Sequence, residues 1–139
     1  AIVTRKGAFM VDRDIFIKKG FTQVDSAKPD FALLVRKSDK SAPDPKFKSF
    51  LTANYGEGLT VIRSAQCPYS VKNVDAILKT AEKLKIKSRL IEAEDHEAAQ
   101  QTPCAFGTFC ILHNGEVISH HPISNARFEN IMAGRLKDR

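Results

Sequence analysis

A strand, a Cys67-Pro68 pair and an amphipathic helix follow one another in the middle of the chain, and few folds accommodate that succession. Residues 59–64 form a short β-rich, apolar run. From Val71 the apolar residues recur every three or four positions, which predicts a helix over residues 68–85. Proline suits a first helical position because the donor it lacks is unsatisfied there anyway. Cys67 is then the predicted N-cap, where the helix dipole favours the thiolate over the thiol.

The rest of the second half continues this alternation. The patterns predict a strand at 88–91, a short helix at 94–100 and a hairpin of residues 108–113 and 116–120, followed by a final helix. Asn114-Gly115 is the strongest two-residue signal for a type I′ turn. Counted outward from that turn, His113 opposes Glu116 and Phe109 opposes His120. Ser124 is the predicted N-cap of a helix with the apolar face Phe128, Ile131, Met132 and Leu136. The predicted order is β-α-β-α-β-β-α.

The first 37 residues predict a strand, a helix and two further strands. The strands are expected at 2–4, 21–24 and 31–35, with a helix at 12–19 between the first two. Ile15 and Phe16 are the expected apolar anchors of that helix, and Gly20 is its expected left-handed cap.

Turn and breaker residues divide the chain into three parts. They are concentrated in residues 38–58, a predicted linker between residues 1–37 and residues 59–139. The predicted class is therefore α/β (α+β). A segment of 37 residues is below the roughly 40 at which domains fold unaided. We expect it to rely on the second half, on a partner chain or on upstream sequence.

Composition excludes several function classes. With 42% hydrophobic and 27% charged residues, the 139-residue chain is of the ordinary globular type. It contains neither an apolar run of roughly 18 residues nor the apolar core of a signal peptide. Three cysteines favour a reducing, cytoplasmic setting. The net charge of +6 lies mainly in residues 1–48 without interleaved aromatics, so we expect neither nucleic acid nor membrane as a partner.

The first part resembles the end of a GNAT-family N-acetyltransferase. The resemblance rests on residues 15–21, which close a helix in Lys19-Gly20-Phe21, on Val24-Asp25, and on the run at 29–35. A helix that ends in this way and continues into a β-hairpin is that family's late topology. Phe16 stands where many members carry a tyrosine that protonates the leaving thiolate. The glycine-rich turn that binds the acetyl-CoA pyrophosphate is absent from these 139 residues.

The second part resembles the YoaP-like domain, a thioredoxin-like extension found after such acetyltransferase domains. The residues that carry this resemblance are Gln66-Cys67-Pro68-Tyr69, the stretch 103–112, Asn114-Gly115 and His120-His121. Thioredoxin-like folds present a reactive thiol between a strand and a helix, and place a cis-proline near it, for which Pro103 is the candidate. Ser70 replaces the second cysteine of a Cys-x-x-Cys pair.

These resemblances imply a C-terminal portion of an acetyl-CoA-dependent N-acetyltransferase that acts on an unknown amine. Acetyl-CoA is then the cofactor of the parent protein, and we expect this chain alone neither to bind it nor to transfer acetyl groups. The implied partner is an upstream acetyltransferase half or a partner chain. The thioredoxin-like part is expected to shape the acceptor cleft or to mediate homodimer contacts.

The same resemblance implies the site residues of the second part. Cys67 is the expected reactive thiol, with Cys104 as its partner in a disulfide or a shared soft metal, while Tyr69 and Pro103 are expected to contact substrate. Cys110 is expected in the core. Two alternatives remain open: a glutaredoxin-like monothiol redox protein that uses Cys67, and a non-catalytic thioredoxin-like interaction module.

Other polar clusters predict no site. His120 and His121 are adjacent in a predicted strand and point to opposite faces, so they do not converge on one metal ion. Glu92, Glu94 and Glu97 are interpreted as surface carboxylates, because nothing in the sequence buries them.

Overall fold

The structure is a computed structural model, and it describes residues 1–7, 10–66 and 68–137. These residues form four α-helices and two β-sheets, which confirms the predicted α/β (α+β) class. The chain divides into two compact units, Ala1–Ser49 and Phe50–Arg139. Residues 38–49 of the predicted linker belong to the first unit, and residues 50–58 belong to the second. The three-part division at residues 37 and 58 stays a prediction. Among the described helices, none has the length and apolarity needed to cross a bilayer.

The first unit is an antiparallel sheet with one short helix. Its strands are β1 (Ile2–Thr4), β2 (Thr22–Ala27) and β3 (Phe31–Val35), and its helix α1 is Arg13–Lys18. The sheet order is β1-β3-β2, and four successive side chains of β3, residues 31–34, are buried. Since successive side chains of a strand point to opposite faces, this continuous burial means that both faces of β3 are covered.

Helix α1 ends in the predicted left-handed glycine. Gly20 has a φ of +83°, its N–H donates to the Ile17 carbonyl at 3.0 Å, and the Phe21 N–H donates to the Phe16 carbonyl at 3.1 Å. The rings of Phe16 and Phe21 meet edge to face with their centroids 5.7 Å apart. This is a Schellman motif with its usual apolar contact. The prediction that Ile15 anchors the helix is wrong because its side chain is 53% exposed.

The segment that follows β3 is tied to β2 by a carboxylate. Asp25 accepts the N–H of Phe47 at 2.7 Å and the N–H of Ser26 at 2.8 Å. These two bonds, with that of Phe47 as the larger cause, hold the pKa of Asp25 below its usual range. The Lys37 Nζ pairs with the Asp44 carboxylate at 2.8 Å. The first part of the predicted linker is therefore held by specific hydrogen bonds.

The second unit has the predicted β-α-β-α-β-β-α order. After a 3-10 turn at Ala53–Tyr55, its elements are β4 (Leu59–Arg63), α2 (Tyr69–Lys83), β5 (Ser88–Glu92), α3 (His96–Gln100), β6 (Phe109–His113), β7 (Glu116–Ser119) and α4 (Asn125–Lys137). The sheet order is β5-β4-β6-β7. Strands β4 and β5 are parallel, whereas β6 is antiparallel to both of its neighbours.

Helices α2 and α4 contribute to the main core on one face of this sheet. That core contains Leu59, Val61, Val74, Ile77, Ala81, Phe109, Ile111, Ile123, Phe128 and Met132. The predicted apolar face of α4 is confirmed at Phe128 and Met132, which are fully buried. Val71, where the apolar spacing of α2 was predicted to begin, is exposed, and so is Leu84 at the C-cap of α2.

The start of α2 and the loop before β6 differ in detail from the predictions. Pro68 is the N-cap and the helix begins at Tyr69, while Cys67, the predicted cap, lies outside the described residues. The peptide bond before Pro103 is trans, since the cis bond in the described part of the chain precedes Pro29. Pro103, the candidate for the cis-proline of a thioredoxin-like fold, is therefore not in the cis form.

A bulge in the last hairpin changes the predicted register. Asn114 and Gly115 have positive φ angles of 52° and 74°, as a type I′ turn requires. His113 opposes Glu116 as predicted, but the register shifts between Leu112↔Val117 and Ile111↔Ser119. The prediction that Phe109 opposes His120 is wrong, because the extra residue in β7 moves every later position by one. Extending the shifted register places His120 level with Cys110.

Candidate functional site

Two cysteines meet on the sheet face of the second unit that lies opposite the main core. Cys110 is in β6, and Cys104 is in the loop between α3 and β6. Both are free thiols, with exposed fractions of 0% and 4%. They share a buried cluster with Ile62 and Leu112, against which Tyr55 packs. Because side chains alternate along β6, Cys110 points away from α2 and α4.

Hydrogen bonds change the acidity of this thiol pair. The Cys104 Sγ donates to the Phe109 carbonyl at 3.5 Å and makes side-chain hydrogen bonds with Cys110 and His120. The bond with Cys110, then that with His120, lowers the pKa of Cys104 although burial opposes ionisation. The same bond with Cys104, followed by burial, raises the pKa of Cys110.

The β7 bulge explains why His120 belongs to this site. Without the bulge, His120 would lie level with Phe109, whose side chain belongs to the main core on the other face. With the extra residue, the imidazole reaches the Cys104 thiol. Bulges often redirect side chains in this way next to functional sites. Neither the bulge nor the contact of Cys110 with Cys104 was predicted, since Asn114-Gly115 indicates only the turn.

A groove of about 420 Å³ lies next to the thiol pair on the same unit. It is lined by Tyr55, Ile62, Ile91, Glu92, Ala93, Asp95, Glu97, Ala98, Gln101 and Thr102. Ile62 also packs in the cysteine cluster, and the Thr102 Oγ1, which donates to the Ala99 carbonyl at 2.9 Å, lies 3.4 Å from the Cys104 carbonyl oxygen. The groove and the thiols thus share walls, and the groove provides a space for a small molecule near the sulfurs.

Arginine side chains link the strands beside this groove. The Arg63 Nε donates to the Glu92 carboxylate at 2.8 Å across the β4–β5 pair. The Arg89 Nε donates to the Thr60 Oγ1 at 2.9 Å, and its guanidinium lies 5.6 Å from the centroid of the Tyr55 ring. The surface interpretation of the glutamates is confirmed, because Glu92, Glu94 and Glu97 are all exposed.

The residues predicted to form a site differ in where they lie and in how exposed they are. Cys67 lies outside the described residues, so its reactivity and its pairing with Cys104 stay predictions. Tyr69 is the first residue of α2 and is 81% exposed. Pro103 and Cys104 are both buried, side by side in the loop before β6. The structure brings Cys104 to Cys110, and the predicted substrate contacts of Tyr69 and Pro103 stay untested.

His113, at the end of β6, is buried beside an arginine. His113 is 3% exposed, and the Arg135 Nε lies 3.3 Å from its Nδ1. Arg135 also forms an ion pair with Glu116, the residue opposite His113 in the hairpin. In the part of the chain that the structure describes, no group of three or more His, Cys, Asp or Glu residues is arranged to hold a metal ion.

The chain is similar to a known family model over part of its length and to a named protein over most of it. The sequence model of the family described as YoaP-like matches residues 89–130, which include Cys104, Cys110 and His120. The protein named Uncharacterized N-acetyltransferase YoaP, from Bacillus subtilis (strain 168), is 28% identical over 130 residues. That alignment covers 92% of this chain and 52% of the relative.

The chain therefore spans about half the length of the curated relative it matches. The resemblance to the YoaP-like domain is confirmed over the matched residues. The GNAT assignment of the first part and the thioredoxin-like assignment of the second stay predictions.

Proposed function

We propose that this chain is the C-terminal portion of an acetyl-CoA-dependent N-acetyltransferase of the GNAT family, acting on an amine. The observation that carries the proposal is the 28% identity, over 92% of this chain, to a protein named as an N-acetyltransferase. In this proposal the acetyl-CoA pyrophosphate is bound by an upstream half or by a partner chain. The protein acts in the cytoplasm, without nucleic acid or membrane as a partner.

The first unit has features that support this role. Its antiparallel sheet and its helix ending in Gly20-Phe21 support its assignment to the late part of that family's topology. Val11, Ile15 and Ile17 are 49%, 53% and 46% exposed, so the unit carries apolar surface that a further half would bury. We propose that this surface completes the acetyl-CoA-binding domain of the parent protein.

The chemistry of acetyl transfer sets a requirement on the rest of the protein. The amine attacks the thioester carbonyl of acetyl-CoA, and the CoA thiolate leaves and takes up a proton. In this proposal Phe16 stands at the position of the family's tyrosine acid, and its side chain has no proton to donate. The proposal therefore assigns protonation of the leaving thiolate to solvent or to a group outside this chain.

The second unit is proposed to be a thioredoxin-like module. The β5-β4-β6-β7 order, with one parallel and two antiparallel pairs, supports this assignment. In the parent protein it would shape the acceptor cleft or mediate homodimer contacts, and the groove beside Thr102 is a surface suited to either role.

The experiment that tests the proposal is the intact mass of the protein isolated from its natural source, followed by an acetyl-transfer assay. We expect a mass well above 15.5 kDa, and CoA release from acetyl-CoA with at least one amine in a panel of primary amines. The 139-residue chain serves as the control and should release no CoA. A native mass equal to that of this chain, or acetyl transfer by the chain alone, would contradict the proposal.

A redox role of the second unit is the alternative function, and the hydrogen-bonded thiols on its sheet favour it. In the glutaredoxin-like form of this alternative, Cys67 forms mixed disulfides with small thiols. Treatment with glutathione disulfide should then add one glutathione to the chain, and Cys67→Ser should abolish that adduct. Absence of the adduct would favour a non-catalytic interaction module instead.

A further inference from the structure

We propose that Cys104 and Cys110 form a redox pair that hydrogen peroxide converts into a disulfide. The pair lies in the second unit, on the sheet face opposite its main core. Acetyl transfer makes no use of these thiols, so the inference stands independently of the proposed function.

The geometry of the reduced pair favours disulfide formation. Both side chains lie in one buried cluster with Ile62 and Leu112, and the hydrogen bond between them is the largest cause of the lowered pKa of Cys104. A disulfide requires the sulfurs to approach to about 2.05 Å. Cys110 is held in β6, where it pairs with Ile62 of β4, whereas Cys104 lies in the irregular segment between α3 and β6. The approach therefore requires a displacement of the loop at Cys104 and leaves the strand in place.

The two sulfurs have different chemical roles. Cys104 has the lowered pKa, because Cys110 and His120 stabilise its thiolate by hydrogen bonds, and the thiolate is the nucleophilic form. Cys110 keeps its proton, because the shared bond and burial raise its pKa. Cys104 is therefore the thiol that meets the oxidant, and Cys110 is the thiol that resolves the product.

The surroundings of the pair select a small oxidant. Cys104 is 4% exposed, and the groove that shares Ile62 and Thr102 with its environment is the nearby open space. Hydrogen peroxide is close to water in size, so it needs only a small fluctuation of these walls to reach the sulfur. A bulky disulfide such as glutathione disulfide needs a much larger opening.

The reaction balances with hydrogen peroxide as the oxidant. The Cys104 thiolate attacks one peroxide oxygen, the O–O bond breaks, and hydroxide leaves, so that Cys104 becomes a sulfenic acid. The Cys110 sulfur then attacks the Cys104 sulfur. The S–O bond breaks as the S–S bond forms, and the leaving hydroxide takes the Cys110 proton as water. Two thiols lose two electrons in total, and one peroxide is reduced to two waters.

The test uses the full chain with Cys67→Ser, so that only the two thiols of the pair remain. The reduced protein is treated with an equimolar amount of hydrogen peroxide, and its thiols are counted after denaturation. We expect both thiols to be lost, the intact mass to fall by two hydrogens, and peptide mapping to link Cys104 to Cys110. Two remaining thiols, or a mass gain of oxygen without a cross-link, would overturn the proposal.

Two variants in the same background separate the roles of the sulfurs. With Cys110→Ser added, oxidation should stop at a sulfenic acid on Cys104, which dimedone traps. With Cys104→Ser added instead, Cys110 should retain its thiol under the same treatment. Equal dimedone labelling of the two variants would overturn the assigned roles.

Circular dichroism shows whether each variant folds. If a variant does not fold, peptide mapping of the oxidised unsubstituted chain replaces it as the test. A Cys104–Cys110 cross-link as the main product is the expected result. A main product that joins Cys67 to either of the other cysteines would overturn the proposal.

Discussion

The two units obtain their buried side chains from different elements. In the second unit, helices α2 and α4 contribute buried residues to a core that they share with the sheet. In the first unit, α1 has no buried residue, and the run of four consecutive buried side chains lies in the single strand β3. The second unit therefore contains its own helix–sheet core, whereas the first depends on one strand and on specific caps and hydrogen bonds.

The largest test of this contrast compares phenylalanines on helices of the two units. Phe128 in α4 is fully buried, and truncation to alanine removes its contacts and leaves a cavity. We expect Phe128→Ala to lower the free energy of unfolding by about 3–5 kcal/mol. Phe16→Ala in α1 loses a half-buried ring and its edge-to-face contact with Phe21, for which we expect about 1 kcal/mol.

Urea unfolding followed by circular dichroism measures both changes, with the exposed Arg127→Ala as the control for α4. If Phe16→Ala proved as costly as Phe128→Ala, the contrast between the two units would be wrong.

A smaller effect is expected from two glycines with similar backbone angles. Gly58 and Gly20 have φ angles of +88° and +83°, so alanine at either position costs about 1–2 kcal/mol for its left-handed backbone. At Gly58 the new methyl would also overlap the Lys87 carbonyl oxygen, which accepts the N–H of Leu59 where β4 begins. At Gly20 no atom lies within 4 Å of that methyl.

We therefore expect Gly58→Ala to destabilise the chain more than Gly20→Ala, by a further margin of more than about 1 kcal/mol. Thermal unfolding of the two variants side by side provides the measurement. If the two variants lost equal stability, the contact between a methyl group at position 58 and the Lys87 carbonyl oxygen would not be destabilising, and the prediction would be wrong.

The smallest expected effect concerns the carboxylate that holds the linker segment of the first unit. The lowered pKa of Asp25 means that its ionised form stabilises the fold. This contribution is fully present above the ordinary carboxyl pKa of about 3.9 and is lost as pH falls through the lower folded value. Asp25→Asn should therefore lower the melting temperature at neutral pH, and the difference from the unsubstituted chain should shrink in acid.

Melting curves recorded from neutral to acidic pH check this prediction. Asp14→Asn, in the same unit and at an exposed position, is the matched control and should behave like the unsubstituted chain. A constant difference between Asp25→Asn and the unsubstituted chain across that pH range would contradict the role given to the carboxylate.

Local patterns predicted most of the elements. The strands β1 and β3 occur at the predicted residues, and the Gly20 cap and the Asn114-Gly115 turn have the predicted positive φ angles. These signals are local, since a capping glycine or a two-residue turn depends on backbone sterics within a few residues. Predictions about exposure were less accurate, as Ile15 and Val71 show, because exposure depends on what packs against each residue.

The candidate site could be predicted only in part. Cys104 was expected to have a thiol partner, but its described partner is Cys110, which had been assigned to the core. The reason is the β7 bulge and the path of the loop before β6, which bring His120 and Cys104 to the face where Cys110 lies. Neither feature has a signature in the local sequence.

The order of helices and strands in this protein follows from its amino-acid sequence, because hydrophobic period, caps and turns act over short distances along the chain. The assembly of Cys104, Cys110 and His120 does not, because it depends on a one-residue shift in strand pairing and on the burial of one sheet face. In a strand, such a shift exchanges the faces on which side chains lie. The acidity of the thiol pair is therefore a property of the folded protein.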